Sequence, residues 1–152
     1  VVTIRVLPRR EFEAHVFVAP SAVIAINSPG ARPHRVLGNG MVRETLRLEF
    51  SDSVPWEPGL RHFAQGEELP PGFRLVHFDR EMARKAWDVA RFAEAEGLEL
   101  LVSCLGGISR SRGVALGLAQ GMGLDPTAVL AGARVDPNPH VVAVMLEVGR
   151  SA

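Results

Sequence analysis

The stretch Gly97–Leu118, GLELLVSCLGGISRSRGVALGL, decides how the whole chain is read. Leu98 to Val102 is an apolar run broken only by Glu99, the length of a buried strand. The chain then reaches its only cysteine, Cys104, passes Gly106-Gly107 and arrives at Arg110-Ser111. Beyond these, an alanine- and leucine-rich segment continues at helical spacing. A strand, a tight glycine turn and a helix start together make a place for an anion. The first N–H groups of a helix have no partner within it, and the helix dipole adds partial positive charge at that end. Glycines let the preceding backbone curl so that successive N–H groups converge on one point.

A thiol placed where such a loop begins is stabilised in its ionised form by the same N–H groups and by a nearby guanidinium. These effects bring a cysteine pKa from about 8.5 into a range of roughly 3.5–7.5, which makes a nucleophile at neutral pH. Arg110, six residues after Cys104, is spaced for the loop to wrap and carry its planar fork beside the sulfur. That fork matches two phosphate oxygens at once, which an ammonium cannot do. Ser111 is placed to donate a hydrogen bond to the sulfur when it leaves. The plain alternative is a buried, inert core cysteine beside an ordinary turn. The joint spacing of Cys104, Gly107, Arg110 and Ser111 argues against it.

At these residues SCLGGISRS resembles the phosphate-binding loop of the protein-tyrosine phosphatase superfamily, H-C-x-x-G-x-x-R-[ST]. The GISRS ending resembles the small dual-specificity branch. The resemblance implies a phosphocysteine mechanism without metal or cofactor. Cys104 would be the nucleophile, and the backbone of Leu105, Gly106, Gly107, Ile108, Ser109 and Arg110 would cradle the phosphate. One position departs: Ser103 stands where the family has a histidine that orients the loop and tunes the thiolate. The family also uses an aspartic acid on a nearby loop to protonate the leaving oxygen. Asp52, just beyond a strand ending in Phe50, is the first candidate. Asp79 is the second, although it also has an ordinary reason to be present as a helix cap, and Glu57, another acid or none are the remaining alternatives.

The rest of the chain supports an α/β fold in one domain, 1–152, with a central mostly parallel sheet of four to five strands flanked by helices. Val1–Val6 and Thr45–Phe50 alternate as strands, and Ser21–Ile26 reads as a buried one, stopped by Asn27-Ser28-Pro29-Gly30. Pro8 is expected to end the first of these. Residues 11–18 are ambiguous between a short helix and extended chain, and 31–40 form a loop in which His34 and Arg35 are expected to be solvated. Residues 56–74 form a long polar connection, with a helical turn expected near 59–65. Arg80–Glu96 is a helix capped by Asp79, burying Met82, Ala83, Ala86, Trp87, Ala90, Phe92 and Ala93. Further helices are expected over about 109–121, 126–131 and 140–148. Cys104 then lies at a strand's carboxyl end, where ligands of open α/β sheets bind.

Composition narrows the function. Seventeen basic and seventeen acidic residues give a formal net charge of zero, which speaks against nucleic acid or an anionic membrane as partner. A local positive patch around Arg110 and Arg112 is compatible with that neutrality. One cysteine precludes an intramolecular disulfide and fits a reducing, cytoplasmic setting, and no signal or membrane-spanning segment is visible. The five histidines, His15, His34, His62, His77 and His140, show no paired metal-ligand spacing.

The sequence thus points first to a phosphatase acting on phosphotyrosine, and on phosphoserine and phosphothreonine if the pocket is shallow, with phosphoinositides, nucleotides and small phosphoesters also open. Trp56 and Phe63 are candidates for lining the pocket, or for packing their own loop. Leu105 and Ile108 at the loop's variable positions argue against inositol polyphosphates. A weakly catalytic phosphate-binding module is the second reading, motivated by Ser103 and the open choice of acid. A sulfurtransferase or arsenate-reductase-like enzyme is the third.

Overall fold

Strand β4 (Glu99–Cys104) is buried along all but its first residue, because it runs through the middle of a sheet covered on both faces. In the computed structural model, residues 2–36, 38, 40–61, 74–105, 109–131 and 136–151 are described. They form β1 (Thr3–Pro8), α1 (Arg9–Glu13), β2 (Ser21–Asn27), β3 (Val42–Glu49), α2 (Arg80–Glu96), β4, α3 (Arg110–Gly121), α4 (Thr127–Leu130) and α5 (Pro139–Arg150). Among the described residues the sheet has four strands in the order β1-β4-β2-β3, and their pairings are parallel. The predicted α/β architecture is therefore observed at the lower strand count. Among the described residues no helix is long and apolar enough to cross a membrane.

Alternation along the strands sorts their side chains onto two unequal faces. Leu100, Val102 and Cys104 join Ala22, Ile24 and Ile26 in the larger core, beneath α2, α3 and α5. Leu101 joins Val23 and Ala25 on the opposite face, under a thin cover of Phe12, Phe17 and Val36. Ser103 and Asn27 continue that second series by parity. In register, Ser103 lies between Leu7 of β1 and Ala25 of β2, so the two polar side chains emerge near one another at the carboxyl ends of adjacent strands.

Helix α2 has the limits its sequence predicts. The Asp79 carboxylate accepts from Met82 N at 2.9 Å, and Gly97 closes the far end at φ 68°, a left-handed conformation that costs glycine little. Ala83, Ala86, Trp87, Ala90 and Ala93 form its buried stripe, whereas Phe92 is 39% exposed, contrary to expectation. Phe92 is two residues past Ala90, which turns it to the solvent side of the helix. Strand β1 continues through Pro8 rather than breaking there, as an edge strand can. The segment expected as a helix over 126–131 contributes only the four residues of α4. Helices α3 and α5 approach so closely at Gly117 that an added Cβ would lie 2.4 Å from Met145 Cβ. That contact fixes the pose of α3, whose first two residues are Arg110 and Ser111.

Candidate active site

Cys104 ends β4, buried, with its Sγ 3.1 Å from the Ser111 hydroxyl. Ser111 is fully buried in the first turn of α3, so its Oγ is held where it can donate to an ionised sulfur. Arg110 is 7% exposed, and its Nη1 donates to the Phe50 carbonyl and to Ser28 Oγ, each at 2.9 Å. The guanidinium is thus seated at the carboxyl ends of β2 and β3. Of the two arginines expected to form a local positive patch, Arg110 is buried, and Arg112 is half-buried with its Nη2 donating to the Ala131 carbonyl at 3.0 Å. Leu105 is exposed, and Gly106, Gly107 and Ile108, the middle of the expected cradle, lie outside the described residues.

Asp52 reaches the same place from the end of β3. Its Oδ1 accepts from Ser109 Oγ at 2.8 Å and from Asn138 Nδ2 at 3.0 Å, and Arg61 Nη1 stands 3.8 Å away. Arg61 also donates to Ser109 Oγ at 2.8 Å and, through its backbone N–H, to the Asp52 carbonyl at 2.8 Å. A carboxyl group is therefore tied to the last residue before α3. Asp79, by contrast, is occupied in capping α2, and Glu57 is exposed.

Two contributors to this cluster lie outside the sequence expectation. Asn138 is fully buried: its Oδ1 caps α5 by accepting from His140 N and Val141 N, while its Nδ2 donates to Asp52 and to the Ser53 carbonyl. The capping role was readable from Asn-Pro ahead of an apolar helix. Arg61 carried no such signal. Trp56 is 63% exposed, edge-on to His140 at 6.2 Å between ring centroids, and Phe63 and His62 lie outside the described residues, as does most of the turn expected near 59–65. Among the described residues no three His, Cys, Asp or Glu side chains gather as a metal site.

His34 corrects the sequence reading most sharply. Expected in solvent, it is 2% exposed, with Nδ1 2.7 Å from Asn27 Oδ1 and Nε2 3.2 Å from Ser103 Oγ. Phe12 packs edge-on against its ring. Burial pushes its pKa down from 6.5 to about 4; Arg9, Arg47 and Arg110 act in the same direction, and Glu13 opposes them. The folded chain therefore holds this imidazole neutral at pH 7. Unfolding frees it to take up a proton below about pH 6.5, so native stability falls as the pH drops from there through about 4. Urea titrations across that window are expected to show a steeper loss for the wild type than for His34→Leu, by a slope approaching one proton. Equal slopes would show that His34 does not enter the fold neutral.

No protein-family profile matches the chain, and no curated protein sequence is significantly similar to it. Solved structures do match. The human tyrosine phosphatase-like serine/threonine/tyrosine-interacting protein superposes with a TM-score of 0.59 at 14% identity, over 97% of this chain and 91% of the other. Human DUSP28 gives 0.57 at 17% identity, over 97% and 92%. A mouse putative dual specificity phosphatase complexed with zinc tungstate gives 0.59 at 17% identity, over 99% and 82%.

Proposed function

We propose, for a chain that has the fold of the small dual-specificity branch of the protein-tyrosine phosphatase superfamily, a cysteine-dependent phosphatase hydrolysing phosphate monoesters. Its substrates are phosphotyrosine and, where the pocket admits them, phosphoserine and phosphothreonine. The observation that carries this reading is the Cys104 sulfur, buried at the end of a central parallel strand with a serine hydroxyl 3.1 Å away at the start of the next helix.

In the first step the Cys104 thiolate attacks phosphorus in line. The bond to the ester oxygen breaks, and that oxygen takes a proton from Asp52. Among the described residues the contacts to the Asp52 carboxyl group fall on Oδ1, and the proton is assigned to Oδ2. Among the described residues Arg110 Nη1 bonds to Phe50 and Ser28, and the Nε–Nη2 edge is assigned to grip two equatorial oxygens. In the second step Asp52 takes a proton from water, the hydroxide attacks phosphorus and the P–S bond breaks. The electron pair returns to sulfur, where Ser111 stabilises it. Fixed donors aimed at the developing charge supply most of the acceleration.

The direct test is hydrolysis of para-nitrophenyl phosphate, run beside alkylation of Cys104 by iodoacetamide with and without inorganic phosphate. Turnover, with phosphate slowing alkylation at neutral pH, is the expected result. Protection without turnover would make the chain a phosphate-binding module instead. Neither turnover nor protection would overturn both readings.

Asp52→Asn is expected to lower kcat/KM for an alkyl phosphate by about 10²–10⁴-fold, the usual contribution of a positioned acid. The loss should be smaller for para-nitrophenyl phosphate, whose leaving group needs less protonation. The alkaline limb of kcat/KM, set by ionisation of the acid, should flatten in the variant. An unchanged limb would remove Asp52 from the scheme.

A further inference from the structure

We infer that His34 is a positioning residue for the nucleophile: it joins the ends of β4 and β2 through Ser103 and Asn27, and so holds Cys104 and the seat of Arg110 in register. The inference rests on the phosphatase reading for its kinetic consequence, but the geometry stands by itself. Ser103 is fully buried and directly precedes Cys104. Asn27 is buried and directly precedes Ser28, whose Oγ accepts from Arg110. One imidazole touches both, at 3.2 Å and 2.7 Å. The two residues it grips are thus next in sequence to the thiol and to an anchor of the guanidinium.

The hydrogen-bond polarity agrees. With Asn27 Oδ1 as acceptor, Nδ1 carries the ring proton, and Nε2 presents its lone pair to the Ser103 hydroxyl. A neutral ring is required for this, and the burial of His34 keeps it neutral. The groups around it are Arg9 and Glu13 of α1, Arg47 of β3 and Arg110 of α3. Arg47 Nη1 also donates to the His34 carbonyl at 2.8 Å, pinning the residue's backbone from the side. Strand alternation places Ser103 on the face opposite Cys104, and the His34 ring bonds to it there, so the ring is not a base toward the sulfur. Its influence runs through the position of the strand ends. Small displacements of a catalytic group cost large factors, of the order of 10²-fold for about 1 Å. The sequence accordingly has a serine at 103, where the resemblance expects a histidine, and brings an imidazole to that serine from a separate connection.

The test compares His34→Leu, His34→Gln, Ser103→Ala and the double variant His34→Leu/Ser103→Ala. The readouts are kcat/KM and the pH midpoint of Cys104 alkylation, with folding checked by circular dichroism. Glutamine offers one acceptor and one donor from a side chain of similar reach, whereas leucine offers neither. We expect His34→Leu to lower kcat/KM by about 10–100-fold and to raise the alkylation midpoint. His34→Gln should recover much of both. The double variant should lose little more than His34→Leu alone, because that change already removes the contact to Ser103. Wild-type kinetics and midpoint in a folded His34→Leu, or strictly additive losses, would overturn the inference. The alkylation midpoint is measured without turnover, so the positioning role is tested even where hydrolysis fails. If His34→Leu does not fold, Ser103→Ala decides between the same two outcomes.

Discussion

Cys104→Ser is expected to abolish hydrolysis, with a loss of about 10³-fold or more in kcat, while the protein folds and still binds phosphate. The change is one atom, sulfur to oxygen, and the smaller hydroxyl fits the same buried position facing Ser111 Oγ. What it removes is ionisation. The proposed nucleophile is a thiolate, and an alcohol in the same place stays protonated. An alcohol nucleophile therefore needs an adjacent base. The described neighbour of this position is a hydroxyl, and the nearby imidazole of His34 lies across the sheet. The oxyanion donors survive the substitution, so phosphate affinity measured by calorimetry should stay within a few-fold of the wild type. Rapid-quench measurement with a phosphotyrosyl peptide should show a phosphoenzyme in the wild type and none in the variant. Residual turnover above a few per cent would place the nucleophile elsewhere.

The elements that frame this site were legible because their signals are local. Asp79 and Gly97 bracket α2 at the positions where a cap and a left-handed residue are needed, and the apolar run into Cys104 fixes β4. The candidate residues Cys104, Arg110 and Ser111 fall within one strand–loop–helix unit, so their spacing alone brings them near one another. Asp52 needed more. Its contact with Ser109 spans 57 positions, and its contact with Asn138 spans 86. Only the end of β3 hinted at its place.

His34 was misread for a physical reason. A histidine among prolines and glycines in a connection is ordinarily solvated, and nothing in its neighbours says otherwise. The available clue lay elsewhere, in Asn27 and Ser103, polar residues ending two otherwise apolar strands. Buried polar side chains need partners, and parity put both on one face. Together they demand a third polar group, and the connection after β2 supplies it. Phe92 is the opposite case: its apolar side chain suggests the core, but its angular position on α2 points outward.

Arg110→Lys should cost about 10²–10³-fold in kcat/KM, more than its effect on stability accounts for. On the proposed mechanism the guanidinium has two jobs. Its Nη1 holds the Phe50 carbonyl and Ser28 Oγ, and its remaining edge is left to face the oxyanion. Lysine carries the same charge but only one nitrogen. It can reach the Phe50 carbonyl or the phosphate, not both, and it cannot grip two oxygens in a plane. Leaving the backbone carbonyl less well satisfied costs about 1–2 kcal/mol, which urea titration would read as a modest shift in midpoint. Losing the paired donors to the transition state falls mainly on kcat, since the charge that strengthens those bonds develops there. Ser28→Ala separates the two jobs. It removes one anchor and leaves the fork, so its expected loss is about tenfold, with KM nearly unchanged. A lysine variant with wild-type kcat/KM would mean that Arg110 only braces the ends of β2 and β3, and the phosphate would have to be held by the loop backbone alone.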